Sequence, residues 1–231
     1  MSDHDGASRS TDGASRSADG DSRYADFAKG FFERSDPAPD GEFYSRSRLV
    51  THIDDGAIEA TGEVYQSLGI EGRVLDLMSS WISHFAAAPD ELIVLGRNAY
   101  ELANNDPAIG GVVTDLNDHP ELPFADDSFD HVVCAVSVDY LSRPLEVFDE
   151  VARVLRPGGL FCHVFSNRLF PSKAITGWLH ASEEQRVVIC GEYFRRSARS
   201  LDGSAGWGEP EASMQRNGHD PLYAVWARLA R

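Results

Sequence analysis

Leu122–Cys134 reads LPFADDSFDHVVC, and further along Arg153–Leu160 reads RVLRPGGL. The first stretch passes from a proline-broken acidic turn into an apolar run, Asp130 to Val136, that fits a buried strand. Between the two, Leu145, Phe148, Val151, Ala152 and Leu155 recur at helical spacing, which predicts an amphipathic helix from Leu145 to Leu155. Pro157-Gly158-Gly159 is expected to stop that helix, and Leu160 to Phe165 to form the next strand. Strand, helix and strand in this order make a βαβ unit, whose strands lie parallel.

Working outward, the same alternation extends in both directions. Val74–Leu77, Leu92–Leu95 and Gly111–Thr114 read as further short strands, with helices over Ile58–Leu68 and Ala99–Asn104. Ser79 or Ser80 is expected to cap a short helix that Pro89 ends. Asp36–Gly41 reads as a turn in the segment before the first strand. Right-handed crossovers then place helices on both faces of a parallel sheet.

The 231 residues suffice for one α/β domain with extensions. The formal net charge is -16, and of 21 basic residues only Lys29 and Lys173 are lysines. Such a surface repels itself in dilute buffer, whereas at molar salt the Debye length is roughly 3 Å and the repulsion is screened. The expectation is a halophilic protein that does not bind nucleic acid, since no basic patch rises above scattered arginines. No apolar run approaches the roughly 20 residues of a membrane span, and the start has no basic and apolar leader pattern. Cys134, Cys162 and Cys190 lack metal-ligand spacing and read as reduced, buried thiols in a cytoplasm. His84, His131, His163 and His180 also lack ligand spacing, so no metal site is expected. Residues 5–25 form an imperfect repeat, DGASRST, DGASRSA and DGDSRYA. Rich in glycine and serine, residues 1–25 are expected to be a disordered acidic tail ahead of one domain over 26–231.

The LPFADDSFD and RVLRPGG stretches closely resemble class I S-adenosylmethionine-dependent methyltransferases of the type 11-like kind, over roughly Val74 to Phe165. Asp220–Leu229 is similar to the last, antiparallel strand of that family. The resemblance implies an α/β fold with a doubly wound, mostly parallel, seven-stranded Rossmann-like sheet. It also implies S-adenosyl-L-methionine as cofactor and a small-molecule substrate. By the same resemblance Asp76 ends strand one and positions the methionine end of the cofactor. The glycines expected after it fall on Met78, Ser80 and Ile82. Ser79 and Ser80, with amides at a helix start, are the expected replacements for those glycine contacts, and Trp81 the pocket wall.

Asn98 falls nearest the carboxylate that holds the ribose hydroxyls, and an amide accepts there without charge assistance. Asp115, with Leu116 beside it, falls on the acceptor for the adenine amino group. Val136 and Ser137 fall where the family closes over the cofactor. Asp139, Tyr140 and Arg168, after strands four and five, are candidate catalytic or acceptor-orienting residues. A non-catalytic methyltransferase-like scaffold, binding another small molecule or a protein, stays open as the alternative. A nicotinamide-dependent dehydrogenase does not, because the Gly-rich fingerprint is missing.

The charge pattern makes a direct prediction. The thermal midpoint should rise as potassium chloride is raised to molar concentration and fall on dilution. A midpoint that stays flat or rises on dilution would refute the halophilic reading.

Overall fold

The computed structural model describes residues 21–198 and 206–230. Its centre is a seven-stranded sheet of β1 (Arg73–Ser79), β2 (Glu91–Gly96), β3 (Ala108–Val113), β4 (Phe129–Ala135), β5 (Leu155–Phe165), β6 (Glu211–Gln215) and β7 (Leu222–Arg228). The strand order is β3-β2-β1-β4-β5-β7-β6, parallel from β3 through β5. β7 runs antiparallel to both β5 and β6. The helices are α1 (Asp40–Phe43), α2 (Asp55–Ser67), α3 (Ala99–Ala103), α4 (Pro144–Val154), α5 (Thr176–His180) and α6 (Glu183–Arg196). No helix among the described residues is long and apolar enough to cross a membrane.

The period of two along each strand splits the core between the faces of the sheet. Leu75, Leu77, Val132, Cys134, Phe161 and Phe165 pack with α4 and α6 residues such as Phe148, Val151 and Phe194. Val74, Val133, Cys162 and Val164 pack on the opposite face with Ala57, Ala60, Val64 and Tyr65 of α2. Helix α4 starts on Pro144, whose fixed φ suits a first helical turn, and buries Leu145, Val147, Phe148, Val151 and Val154. All three cysteines are free and buried.

Two local expectations need correction. Helix α4 closes at Val154, and Leu155 is already extended, with φ -78° and ψ 138°. Pro157-Gly158-Gly159 therefore lies inside β5 and does not stop the helix. Gly158 adopts φ 83°, and the β4–β5 register shifts between Phe129 and His131, so these residues form an irregularity in the strand. The second correction concerns the helix expected after Ser79 or Ser80: the stretch from Ser80 to Pro89 is irregular throughout. Serine, tryptophan, isoleucine and phenylalanine are weak helix formers there, and the serine hydroxyls bond to side chains and carbonyls nearby.

Residues 21–25 depart from the expected tail, while residues 1–20 lie outside the described ones. Only the third repeat unit carries a tyrosine, and Tyr24 is buried against Phe27 and Phe32. Its hydroxyl donates to Glu146 and accepts from the Leu145 amide at 3.0 Å, while Arg23 pairs with Asp149 at 2.7 Å. One aromatic ring thus anchors the end of the third repeat unit as a turn.

The chain then runs over the C-terminal ends of the strands and is fixed there by buried charge. Lys173, fully buried, donates to the Ala38 carbonyl at 2.8 Å and pairs with Asp36 at 3.0 Å and Asp40 at 3.3 Å. Arg34 reaches Asp40 at 2.8 Å, and Asn117 donates to Asp40 at 3.0 Å. Burial pushes the Asp40 carboxyl up, but Arg34, Asn117 and Lys173 outweigh it and hold the carboxyl below its ordinary value.

The anchor should be measurable. Tyr24→Ala should cost about 3 kcal/mol of stability, the usual loss for a buried aromatic, and deletion of residues 1–20 should leave the thermal midpoint unchanged. A neutral Tyr24→Ala variant would show that the anchor carries no stability.

Candidate functional site

β1 lies between β2 and β4, and the chain winds away from it in both directions, so a crevice opens at the C-terminal ends of these strands. A cavity of about 340 Å³ fills it, within the range of small-molecule sites. Gly96, at the end of β2, permits the close approach: a Cβ there would stand 2.2 Å from the Ser79 carbonyl oxygen. All nine residues assigned to the cofactor from sequence line this one cavity: Asp76, Met78, Ser79, Ser80, Asn98, Asp115, Leu116, Val136 and Ser137. Trp81 lines it as well.

Asp76 is 1% exposed. Ser79 Oγ donates to its Oδ2 at 2.6 Å, while Oδ1 has no partner among the described residues. Burial pushes the carboxyl up to about 7, against the pull of Ser79 and Ser83. The expected helix-start amides at Ser79 and Ser80 do not exist, because no helix follows β1. Instead Ser80 Oγ donates to Glu101 Oε2 at 2.7 Å, and Asn105 Nδ2 donates to the Ser80 carbonyl at 2.9 Å and to Ser83 Oγ at 2.8 Å. A side-chain network holds the loop where a helix was expected.

At the β2 tip Asn98 caps α3. Its Oδ1 accepts from the Tyr100 and Glu101 amides at 3.0 and 3.2 Å and from Ser47 Oγ at 3.1 Å, while Nδ2 donates to the Tyr44 carbonyl at 2.9 Å. That amide is committed on both atoms. The carboxylate in this corner of the cavity is Glu101, which sequence reasoning missed. The available signal was an acid three residues past an Asn cap. Asp115, after β3, is buried, accepts from the Asn117 amide at 3.0 Å and lies 3.4 Å from Arg97. Burial raises its carboxyl despite the opposing pull of Arg97.

Val136 closes β4 with φ 45°, a strained value for a β-branched residue, and Met78 has φ 56°. Ser137 Oγ donates to the Ala135 carbonyl at 2.9 Å and the Met78 carbonyl at 3.3 Å, joining the two strand ends. Tyr140 lines the cavity, but its hydroxyl accepts from the Phe170 amide at 2.9 Å, and burial raises its pKa, so it does not serve as a base. Arg168 also lines the cavity and is paired with Asp220 at 2.8 Å. Asp139 does not reach the cavity. It is buried in the turn Val138–Tyr140, and burial pushes its carboxyl up to about 7. The opposite wall comes from Tyr44, Arg48 and His52, on the segment held down by Lys173 and not assigned to the site from sequence. Among the described residues no group of three or more His, Cys, Asp or Glu side chains is placed to hold a metal ion.

Asp76 makes the unliganded protein sensitive to pH. Its folded-state value, about 7, lies above that of an unfolded aspartate, so the folded state binds the proton more tightly. That contribution is complete in acid, below the unfolded value, and is lost as pH rises through about 7. Asp76→Asn should therefore flatten the fall in thermal midpoint between weakly acidic and weakly alkaline buffer. An unchanged pH profile would show that Asp76 is ionised throughout.

Residues 90–163 match the family model described as a methyltransferase domain. The chain is 31% identical over 133 residues to 2-methyl-6-phytyl-1,4-hydroquinone methyltransferase 2 of Oryza sativa subsp. japonica, a match covering 57% of this chain and 33% of that protein. It is 32% identical over 111 residues to methyltransferase GfsG of Streptomyces halstedii, covering 43% of this chain and 40% of that protein. The chain thus spans well under half the length of these relatives. Among solved structures, a SAM-dependent methyltransferase from Aquifex aeolicus aligns with TM-score 0.50 and 16% identity over 76% of this chain and 93% of its own. The [4+2]-cyclase SpnF aligns with TM-score 0.51 and 14% identity over 79% and 86%. At such identities the likeness concerns the fold alone. Residues 90–163 thus match a methyltransferase domain, and the sheet, with its strand order and antiparallel β7, has the Rossmann-like fold of the class I S-adenosylmethionine-dependent methyltransferases.

Proposed function

We propose that the strand-end cavity binds S-adenosylmethionine and that the chain transfers a methyl group to a small-molecule acceptor. The observation that carries this reading is Asp76: a buried carboxylate at the crevice, one oxygen of which has no partner among the described residues. Leaving such a group unmatched is costly, so it favours a ligand with a cationic or donor group at that point. The residues fit the cofactor. Asp76 faces its amino group, Asp115 the adenine amino group, and Glu101 takes the place of Asn98 near the ribose hydroxyls.

The cofactor, when bound, supplies a sulfonium methyl group to a nucleophile. The chain's task is then to align the acceptor and exclude water, and the segment over Tyr44, Arg48 and His52, which lines the cavity, contributes to both. A small molecule suits this enclosed space, and a relative is named for a hydroquinone substrate. The absence of a helix after β1 favours the second reading, a methyltransferase-like module that binds without catalysis.

Calorimetric titration with S-adenosylmethionine and S-adenosylhomocysteine in molar potassium chloride separates the two. Binding should be saturable, should quench fluorescence that Trp81→Phe removes, and should weaken about tenfold to a hundredfold in Asp115→Ala. Asn98→Asp should not tighten it, since the side chain already serves the cap and Tyr44. No heat and no quenching up to millimolar ligand would overturn the cofactor reading.

A further inference from the structure

The wall facing the strand ends carries its own chemistry, gathered around Phe170 in the segment after β5. The His52 ring meets Phe170 edge-on at 5.3 Å, and the Tyr140 ring lies 6.1 Å away. The Arg48 guanidinium sits 5.8 Å from the Phe170 centroid and 4.8 Å from that of Phe43. Arg48, His52, Tyr140 and Phe170 all line the cavity. Arg48 is steered by its bond to the Phe43 carbonyl at 3.2 Å, and its guanidinium has no carboxylate partner among the described residues. This sets it apart from the other two arginines on the cavity: Arg97 pairs with Asp115 and Arg168 with Asp220.

His52 is exposed, and no hydrogen bond engages its ring nitrogens among the described residues. The charged and titratable groups that face it are Glu101, Arg48 and His84. Desolvation lowers its pKa, Glu101 raises it and Arg48 lowers it, leaving a net value below that of ordinary histidine. The imidazole is therefore neutral near pH 7 and free to accept a proton.

Resting on the methyl-transfer reading of the cavity, we propose that this cluster is the acceptor subsite and takes a phenol, with His52 receiving the phenolic proton and Arg48 holding the phenolate. The O–H bond breaks heterolytically and its electron pair stays on oxygen. The proton forms an N–H bond on the imidazole, which becomes imidazolium, and no oxidant or reductant takes part. The phenolate oxygen is then the nucleophile for methylation. Phe170 and Tyr140 provide ring faces for a planar aryl group. A protonated amine would meet the Arg48 charge, and an aliphatic alcohol is too weak an acid for an imidazole of lowered basicity.

The probe is 4-nitrophenol, whose absorption separates phenol from phenolate, titrated on the acid side of its own ionisation, with and without S-adenosylhomocysteine. A saturable phenolate band is expected, lost in His52→Gln, together with about tenfold weaker binding in Arg48→Ala. His52→Gln should keep the wild-type thermal midpoint, which shows that a lost band is not lost folding. No saturable binding, binding without the band, or a band that survives His52→Gln would each overturn the proposal. If the band forms while S-adenosylhomocysteine fails to bind, the cofactor reading falls and the phenol subsite stands. If S-adenosylhomocysteine binds and no band forms, the reverse holds.

Discussion

A parallel sheet that winds outward in both directions from β1 cannot close over the ends of β1 and β4, and the rest of this molecule is arranged around that opening. The backbone turns left-handed at Met78 and at Val136, two non-glycine residues at the ends of the two strands that frame it. Such positions cost on the order of 1 to 3 kcal/mol each and persist only when their surroundings hold them. Here the holding contact is Ser137 Oγ, which reaches the Met78 carbonyl across the opening. Gly96 lets β2 crowd against the same point. The crevice is thus a fixed feature of the sheet, to which the polar side chains are fitted.

Beyond β1 the chain departs from the regular alternation of strand and helix. Three serines in the span Ser79–Ser83 find side-chain or carbonyl partners in Asp76, Glu101 and Asn105. A helix would have oriented backbone amides toward the crevice, but here Ser79 and Ser80 line it and bond to the carboxylates of Asp76 and Glu101. The polar groups at the crevice accordingly include the ionisable side chains Asp76, Glu101 and Asp115. The protonation state of Asp76 then becomes part of the site, because burial holds its pKa close to neutral.

The sheet was legible because period-two burial and the segments around β4 and β5 are short-range patterns. Asp76, Asp115, Val136 and Ser137 were found by their places at strand ends, and the structure brings them to one cavity. Asn98, assigned by position, lines the cavity, and its side chain also caps α3, since an Asn before a helix serves its own amides. Asp139 was misjudged because a short 3-10 turn after β4 buries it away from the cavity. Arg48, His52 and Tyr44 were not legible as site residues. They reach the cavity through contacts spanning distant parts of the chain, among them Lys173 with Asp36 and Asp40, Asn98 with the Tyr44 carbonyl, and Glu101 with the Arg48 amide. The misplaced tail boundary turned on one residue, Tyr24, whose ring supplies the apolar surface that the earlier repeat units lack.

Lys173 also bears on the scarcity of lysine. At the surface, arginine's planar fork engages several acceptors at once, as Arg153 does with Glu150 and Asp126. Such exposed pairs contribute little singly and are screened further as salt rises. Between Asp36, Asp40 and the Ala38 carbonyl the requirement differs: a compact charge on a slender stem, with rotatable donors, inside a closed space. An ammonium meets it and a guanidinium does not. Lys173 and Asp40 are shielded from solvent, so their pairing is screened far less than the surface pairs, while Asp36 is partly exposed. The Lys173–Asp40 contact that fixes the start of the segment carrying Tyr44, Arg48 and His52 is therefore less sensitive to ionic strength than the exposed pairs.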